Sequence, residues 1–374
     1  MNLARIRIDG FRSICGTDIE LGPLNVMIGA NGSGKSNLIL FLQMLNSALS
    51  KGLQESFIPT RGPASALLHF GPRVTPVMRA ELEFRTDTGR NFYRFTLAHA
   101  YEDTLVFTHE EVQYHVDGFP QPQAPVALGP GGHRESGLAE LWSEADPTAK
   151  FVRGLLARCR VYQFHDTSTE SFIRHKAKVA DSSYLRANAG NLAAFLLRLR
   201  EGGEEDEAAY RQIERTLRTV LPWFGEFVLT REGAPRDPLV LLRWRAAGRT
   251  EYEFGPGQLS DGSLRVIALV ALLLQPEYAR PQLIAVDEPE LGLHPAAEEV
   301  IAGLFRNVSK TSQVIVATQS ATFLDHFAPN DVVVVENVDG CSSFKRQTQA
   351  ELRKWLERYT LGQLWNKNLI GGRP

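Results

Sequence analysis

Cysteine is scarce. Cys15, Cys159 and Cys341 are the only three in 374 residues. They lie far apart, form no CxxC pair and show no metal-ligand spacing. A reduced, cytoplasmic protein is the reading expected from them. Long apolar runs are missing as well. The longest, Val266 to Leu274, is half the length of a membrane span, so no membrane segment is expected. An excess of one charge is also missing, since 41 Lys and Arg stand against 43 Asp and Glu. No global basic field therefore marks the chain for nucleic acid, although a local basic face is compatible with this balance. Internal repeats and heptad runs of coiled-coil length are absent. The opening "MNLARIRIDGF" alternates apolar and polar residues from Leu3 to Ile8, the pattern of a strand and not of a signal peptide.

What is present is an ordinary globular composition, long enough for one large or two modest domains. "LNVMIGANGSGKSNLILFLQML" reads as strand, glycine loop and helix, the helix running from Ser36 to about Leu49. Lys51 to Pro76 is rich in Gly and Pro and reads as an irregular connection. "PVMRAELEFR", "RNFYRFTLAH" and "TLVFTHEEVQYHV" alternate as an antiparallel sheet would. "DGFPQPQAPVALGPGGH" reads as a mobile loop. Tyr184 to Leu221 has helical periodicity, broken by an exposed turn at "REGGEEDE". "FVLTRE", "PLVLLRWRA" and "RTEYEF" return to strand. "LIAVDE", "QVIVATQS" and "DVVVVENV" are continuous apolar strands separated by helical stretches, which predicts a mainly parallel sheet covered on both faces. The expected organisation is an N-terminal lobe over 1–165, a helical insertion over 166–225 and a C-terminal lobe over 226–374.

Three motifs carry chemistry. "GANGSGKS", Gly29 to Ser36, fits G-x-x-x-x-G-K-[ST] in the required strand–loop–helix setting. Its glycines let backbone N–H groups wrap a phosphate chain, and the helix N-terminus adds a favourable dipole. Asn31, Gly32, Ser33, Gly34, Lys35, Ser36 and Asn37 are the candidate nucleotide-binding residues, with Lys35 on the terminal phosphates and Ser36 on Mg²⁺. "LIAVDEPE" delivers Asp287 and Glu288 to the carboxyl end of a buried strand, where ligands bind in such sheets. Asp287 suits the Mg²⁺ shell and Glu288 suits the attacking water. "LSDGS", Leu259 to Ser263, is by itself an everyday helix start.

The order of these motifs matches ATP-binding-cassette ATPases, whose signature contacts the γ-phosphate bound by a second copy. On that likeness Ser260 caps the following helix and Gly262 lets backbone approach the nucleotide. Gln319, ending "IVATQS", stands where this class usually has a histidine. It can donate and accept hydrogen bonds but cannot carry positive charge, so slow turnover is expected. Gln163, ending "RVYQF", is either a further Mg²⁺ ligand or a loop residue. Arg12 in "GFRSI" either reaches phosphate or sits in a surface salt bridge. Arg265 reads as a helix-surface arginine, Asp166 and Glu170 as a possible cap, and His294 as a residue shaping the turn after the acids. Asp261 is expected to cap its helix and to point away from phosphate.

Taken together, "GFRSI…NVMIGANGSGKSNLI", "LSDGSLRVIALVALLL", "LIAVDEPELGLHP" and "QVIVATQS" resemble the ABC-type ATPase heads of the SMC/RecF superfamily. The branch they are most similar to is that of the predicted AAA-family ATPases related to OLD-type nucleases. The resemblance implies an α/β P-loop NTPase with a mainly parallel core sheet, an antiparallel β subdomain and a helical insertion. It implies ATP and Mg²⁺, an ATP-dependent homodimer, and a role in DNA maintenance or anti-phage defence through a partner effector. Only about fifty residues follow "ATQS", too few for a Toprim nuclease domain, so any nuclease is expected on a separate chain. The alternatives are a RecF-like clamp that holds DNA itself and a dimer switch that binds ATP without hydrolysing it. A transporter motor fits the wording of the motifs less well.

Overall fold

The computed structural model describes residues 2–50, 52–139, 146–249 and 251–373. They form two compact units. One comprises Met1–Val161, Gln282–Ala285 and Gln313–Pro374, and the other Tyr162–Pro281 and Val286–Ser312. The P-loop and Gln319 therefore belong to the first unit. Gln163, the signature, Asp287 and Glu288 belong to the second.

Two sheets build the first unit. The antiparallel one runs in the order Ile14–Glu20, Asn2–Phe11, Val77–Arg85, Gly89–Ala100, Thr104–Val116, Val126–Ala127. Alternation decides its faces: Met78, Ala80, Leu82 and Phe84 are buried while Arg79 and Arg85 are exposed. The other sheet runs Cys341–Arg346, Val332–Val338, Leu24–Ile28, Gln313–Thr318, Leu283–Asp287, Cys159–Tyr162. Leu24–Ile28 pairs in parallel with the strands on both its sides, Val26 lying opposite Val316 and Val332. Every residue of Leu24–Ile28 is buried, as a central parallel strand requires. The edge strand Cys341–Arg346 is antiparallel.

The helix Lys35–Leu49 presents nine buried residues. The Phe41 ring lies 5.7 Å from that of Phe11 and 6.4 Å from that of Phe95, which ties the helix to the antiparallel sheet. Ile315 and Val333 of the parallel sheet belong to the same buried cluster. A phenylalanine buried this way is worth about 3–5 kcal/mol over alanine, so the helix that opens with Lys35 is firmly seated.

Two connections are more ordered than their composition predicts. The stretch expected to be irregular holds helical turns at Leu53–Phe57, Ile58–Arg61 and Ala64–Leu67. The Glu135 carboxylate satisfies the first of them, accepting from the N–H groups of Leu53 and Gln54 at 3.0 and 2.9 Å. Lys51 lies outside the described residues. The breaker-rich loop contributes the strand Val126–Ala127, and Leu128 beyond it is buried.

In the second unit the helix Asp261–Leu274, buried at ten positions, packs with Glu204–Val220 and Pro295–Val308. Leu192–Glu201 and Glu204–Val220 meet at Gly202–Gly203, and the acids Glu204 to Glu207 occupy the first turn, where the helix dipole favours them. The helical reading of Tyr184 to Leu221 fails at its start. There Asn191 ties a loop, accepting from Arg186 N–H and donating to the carbonyls of Asp181 and Tyr184. Local side-chain bonds of this kind compete with helix, which periodicity alone does not reveal. The strands "FVLTRE" and "PLVLLRWRA" appear as Phe224–Val228, Arg231–Glu232, Leu239–Val240 and Arg243–Ala246. "RTEYEF" gives a single bridge from Phe254 to Trp244, and Thr250 lies outside the described residues. Among the described residues no helix is long and apolar enough to cross a membrane.

Candidate functional site

The buried strand Leu24–Ile28 runs directly into the glycine loop. Gly32 and Gly34 have φ of +78° and +107°, the left-handed region that glycine enters without penalty. Gly34 is also held by contact: a Cβ there would lie 1.9 Å from Ser342 Oγ. Lys35 is buried, and its ammonium donates to the carbonyls of Gly29 and Ala30 at 2.6 and 2.9 Å. Those carbonyls occupy the lysine as phosphate oxygens would. The Ser36 side of the loop is exposed. Asn31 to Asn37 and Gln319 together line a cavity of about 130 Å³. A helix N-terminus favours an anion through its dipole and its first N–H groups, although the Asn37 N–H here donates to Gly34 O at 3.0 Å. A triphosphate with a divalent cation fits this donor set, with Ser36 supplying a hydroxyl to the metal.

Two residues that no motif singled out hold the loop from below. Ser342 Oγ donates to Ser33 O at 2.7 Å and lies 2.6 Å from Ser13 Oγ, which accepts from Asn37 Nδ2 at 2.7 Å. Ser13 lies within "GFRSI", but neither serine has a spacing that would have revealed the link. The tail reaches the loop too: Ala30 N–H donates to Gly372 O at 2.8 Å.

Arg12 is not held in the surface salt bridge that was one of its two expected roles. It sits in the turn between Asn2–Phe11 and Ile14–Glu20 at φ +48°, and its guanidinium reaches the Arg61 carbonyl at 3.4 Å. Burial first, and the neighbouring Arg61 second, hold its pKa below the usual arginine value. Among the described residues no carboxylate pairs with it.

In the second unit, Asp287 is buried at the end of its strand and Glu288 follows at φ +46°. A non-glycine residue in that region costs roughly 1–2 kcal/mol, so the turn that aims Glu288 is maintained against strain. His165 Nε2 lies 2.9 Å from Asp287 O, and Gly292 at φ +74° continues the turn. His294 caps the helix Pro295–Val308, accepting from Ala296 N–H at 3.3 Å. Gln163 is half-buried, its N–H on Ala187 O at 2.9 Å. Asp166 accepts from Ser168 N–H and Oγ and so caps its own turn.

The signature turn meets the acid turn. Ser260 caps its helix as expected, Oγ accepting from Ser263 N–H at 3.2 Å. A Cβ on Gly262 would lie 2.3 Å from Gly292 O, so this glycine is required by the chain's own backbone. Arg265 is not a free surface arginine. It donates to the carbonyls of Phe164, His165 and Leu291 at 3.1, 2.8 and 2.9 Å, joining the signature helix to the stretch after Gln163 and to the acid turn. Nor does Asp261 cap the helix. It accepts from Arg174 Nη2 at 2.8 Å. The hydrogen bond from Arg174, then that from Thr167, holds its carboxyl below the usual range. A lowered folded pKa makes the contact's contribution complete at neutral pH and lost only as acid protonates the group. Because Asp261 is exposed, the pair is worth less than about 1 kcal/mol. Asp261→Gly should therefore leave the melting temperature within a few degrees of wild type; thermal melting checks this, and a larger drop would contradict it.

A buried strand entering a lysine-holding glycine loop, a second buried strand ending in two acids, and a serine-capped signature helix define a P-loop ATPase head of the ABC type. Comparison with known proteins agrees. The family described as "AAA domain, putative AbiEii toxin, Type IV TA system" matches residues 24–325, and the chain belongs to it. The energy-coupling factor transporter ATP-binding protein EcfA2 of Lactobacillus acidophilus is 30% identical over 141 residues, 37% of this chain and 47% of that protein. Its namesake from Lactococcus lactis is 28% identical over 90 residues, 24% of this chain and 30% of that protein. The chain thus matches less than half the length of these relatives. Among solved structures, an Smc head bound to the C-winged helix domain of ScpA superposes with a TM-score of 0.58 at 16% identity, covering 95% of this chain and all of that one. The Pyrococcus furiosus Smc head with an extended coiled coil gives 0.57 at 15% identity, covering 95% and 98%. These likenesses establish an SMC-type head fold.

Proposed function

We propose that the chain hydrolyses ATP slowly, that two copies close around two ATP molecules, and that this closure controls a partner effector chain in anti-phage defence or DNA maintenance. The observation that carries this reading is the cavity shared by Asn31 to Asn37 and Gln319, with Lys35 held at its wall by two backbone carbonyls. Lys35 and the loop N–H groups bind the phosphates. The motif resemblance assigns Ser36, Asp287 and Gln163 to Mg²⁺, which would neutralise phosphate charge when bound. Glu288 orients the attacking water. Gln319 contacts the γ-phosphate as a neutral group, in keeping with low turnover. Ser260 and Gly262 act on the nucleotide of the other copy, and shared ATP holds the closed form only while the γ-phosphate remains.

The family's description as part of a toxin–antitoxin system, together with the OLD-like wording of the motifs, supports an effector on a separate chain, a nuclease foremost, acting in the cytoplasm. The solved Smc head of similar fold is bound to the C-winged helix domain of ScpA, which supports a partner chain in general terms. The test is light scattering of wild-type protein with and without a slowly hydrolysed ATP analogue and Mg²⁺, alongside steady-state phosphate release. A doubling of mass with nucleotide, and release above the no-enzyme rate, are expected. A chain that binds the analogue yet keeps its monomer mass would sink the sandwich.

A further inference from the structure

Cys15, His69 and Cys341 are distant in sequence and adjacent in the fold: one ligand atom from each lies within 4.8 Å of the others. Sequence spacing had excluded such a cluster. It arises because the edge strands Ile14–Glu20 and Cys341–Arg346 of the two sheets pack together. The cysteine Cα atoms are 5.4 Å apart and the sulfurs are joined as a disulfide. His69 is buried, and its Nδ1 lies 2.6 Å from Arg12 O. A carbonyl only accepts, so Nδ1 carries the proton and the Nε2 lone pair is left to face the sulfurs, 3.8 Å from Cys341 Sγ. The Phe70 ring, its centroid 4.4 Å from that of His69, packs against the imidazole. A disulfide has no need of an oriented imidazole. A thiophilic metal does, since metal-binding histidines are fixed by donating their other ring nitrogen to a carbonyl or carboxylate.

We propose that in the dithiol state Cys15, Cys341 and His69 bind a thiophilic divalent cation of the Zn²⁺ class, with the fourth position open to water. Two thiolates at ~2.3 Å from a common ion stand ~3.8 Å apart, a separation that side-chain rotation provides once the S–S bond is broken. Binding releases the thiol protons. The disulfide is the metal-free state of the same pair. A small disulfide RSSR takes the pair there: one cysteine thiolate attacks it and expels RS⁻, and the other displaces the second RS⁻ from the mixed disulfide. Two electrons pass to RSSR and the ion leaves. The site lies beside the P-loop's support, because Cys341 precedes Ser342 and Cys15 follows Ser13 by two residues.

The test is titration of the phosphine-reduced full chain with Co²⁺ under anaerobic conditions, after a thiol assay confirms reduction. One equivalent is expected to bind, with a thiolate-to-metal charge-transfer band and tetrahedral ligand-field bands, and Zn²⁺ should displace it. Cys159→Ser should leave the bands unchanged. Cys15→Ser and Cys341→Ser should each abolish them, His69→Ala should weaken binding at least ~10-fold, and oxidation by a small disulfide should erase them. Reduced, folded wild type that gives no charge-transfer band overturns the proposal, as does a band that survives Cys341→Ser. No nucleotide enters this assay, so its outcome is independent of the ATPase reading.

Discussion

Lys35→Ala is expected to weaken ATP binding by roughly 150-fold. The wild-type ammonium is already drawn into the loop by the Gly29 and Ala30 carbonyls, so it is placed to exchange them for phosphate oxygens with little motion. Losing one strong charge-assisted contact costs about 3 kcal/mol, which is the stated factor. The consequence is visible in melting. At an ATP concentration 100 times the wild-type Kd, binding stabilises the wild-type fold by about 2.7 kcal/mol. The variant, at two-thirds of its own Kd, gains only about 0.3 kcal/mol by the same relation. Melting curves with and without Mg·ATP therefore separate the two, and melting without nucleotide shows whether the loop still folds. A variant with the wild-type ATP-induced shift would remove Lys35 from the site.

The motifs were legible because each is local. A strand feeding a glycine loop, a serine before a helix and two acids after four apolar residues all announce themselves within a dozen positions. What stayed hidden is non-local. Ser342 supports Ser33 across 309 positions, and the Cys15–Cys341 contact spans 326, so neither leaves a spacing to read. Arg265 reads in the sequence as a helix-surface arginine. Its role depends on three carbonyls that only the fold gathers. Gly262 was expected to let backbone approach a nucleotide; the group that approaches it here is the chain's own Gly292 carbonyl. That contact joins the signature to the acid turn within one unit.

Glu288→Gln is the change expected to lower turnover most cleanly, by about 10²- to 10⁴-fold, the range typical for loss of a positioned general base. The exchange keeps the side-chain length and, with it, the backbone at φ +46°. Glu288→Gly would relieve that strain and confuse loss of the carboxylate with movement of the turn. Glutamine still hydrogen-bonds water but cannot accept its proton, so the γ-phosphate stays in place. Affinity for ATP should be unchanged, because the phosphate contacts assigned to the loop remain. Closure should then persist: light scattering with Mg·ATP should show a dimer that outlasts the wild-type one and collapses only when nucleotide is removed. Unchanged phosphate release would refute the assignment of Glu288. Lost release without a lasting dimer would keep Glu288 as the base but separate hydrolysis from closure, and with it the link by which ATP is proposed to control a partner chain.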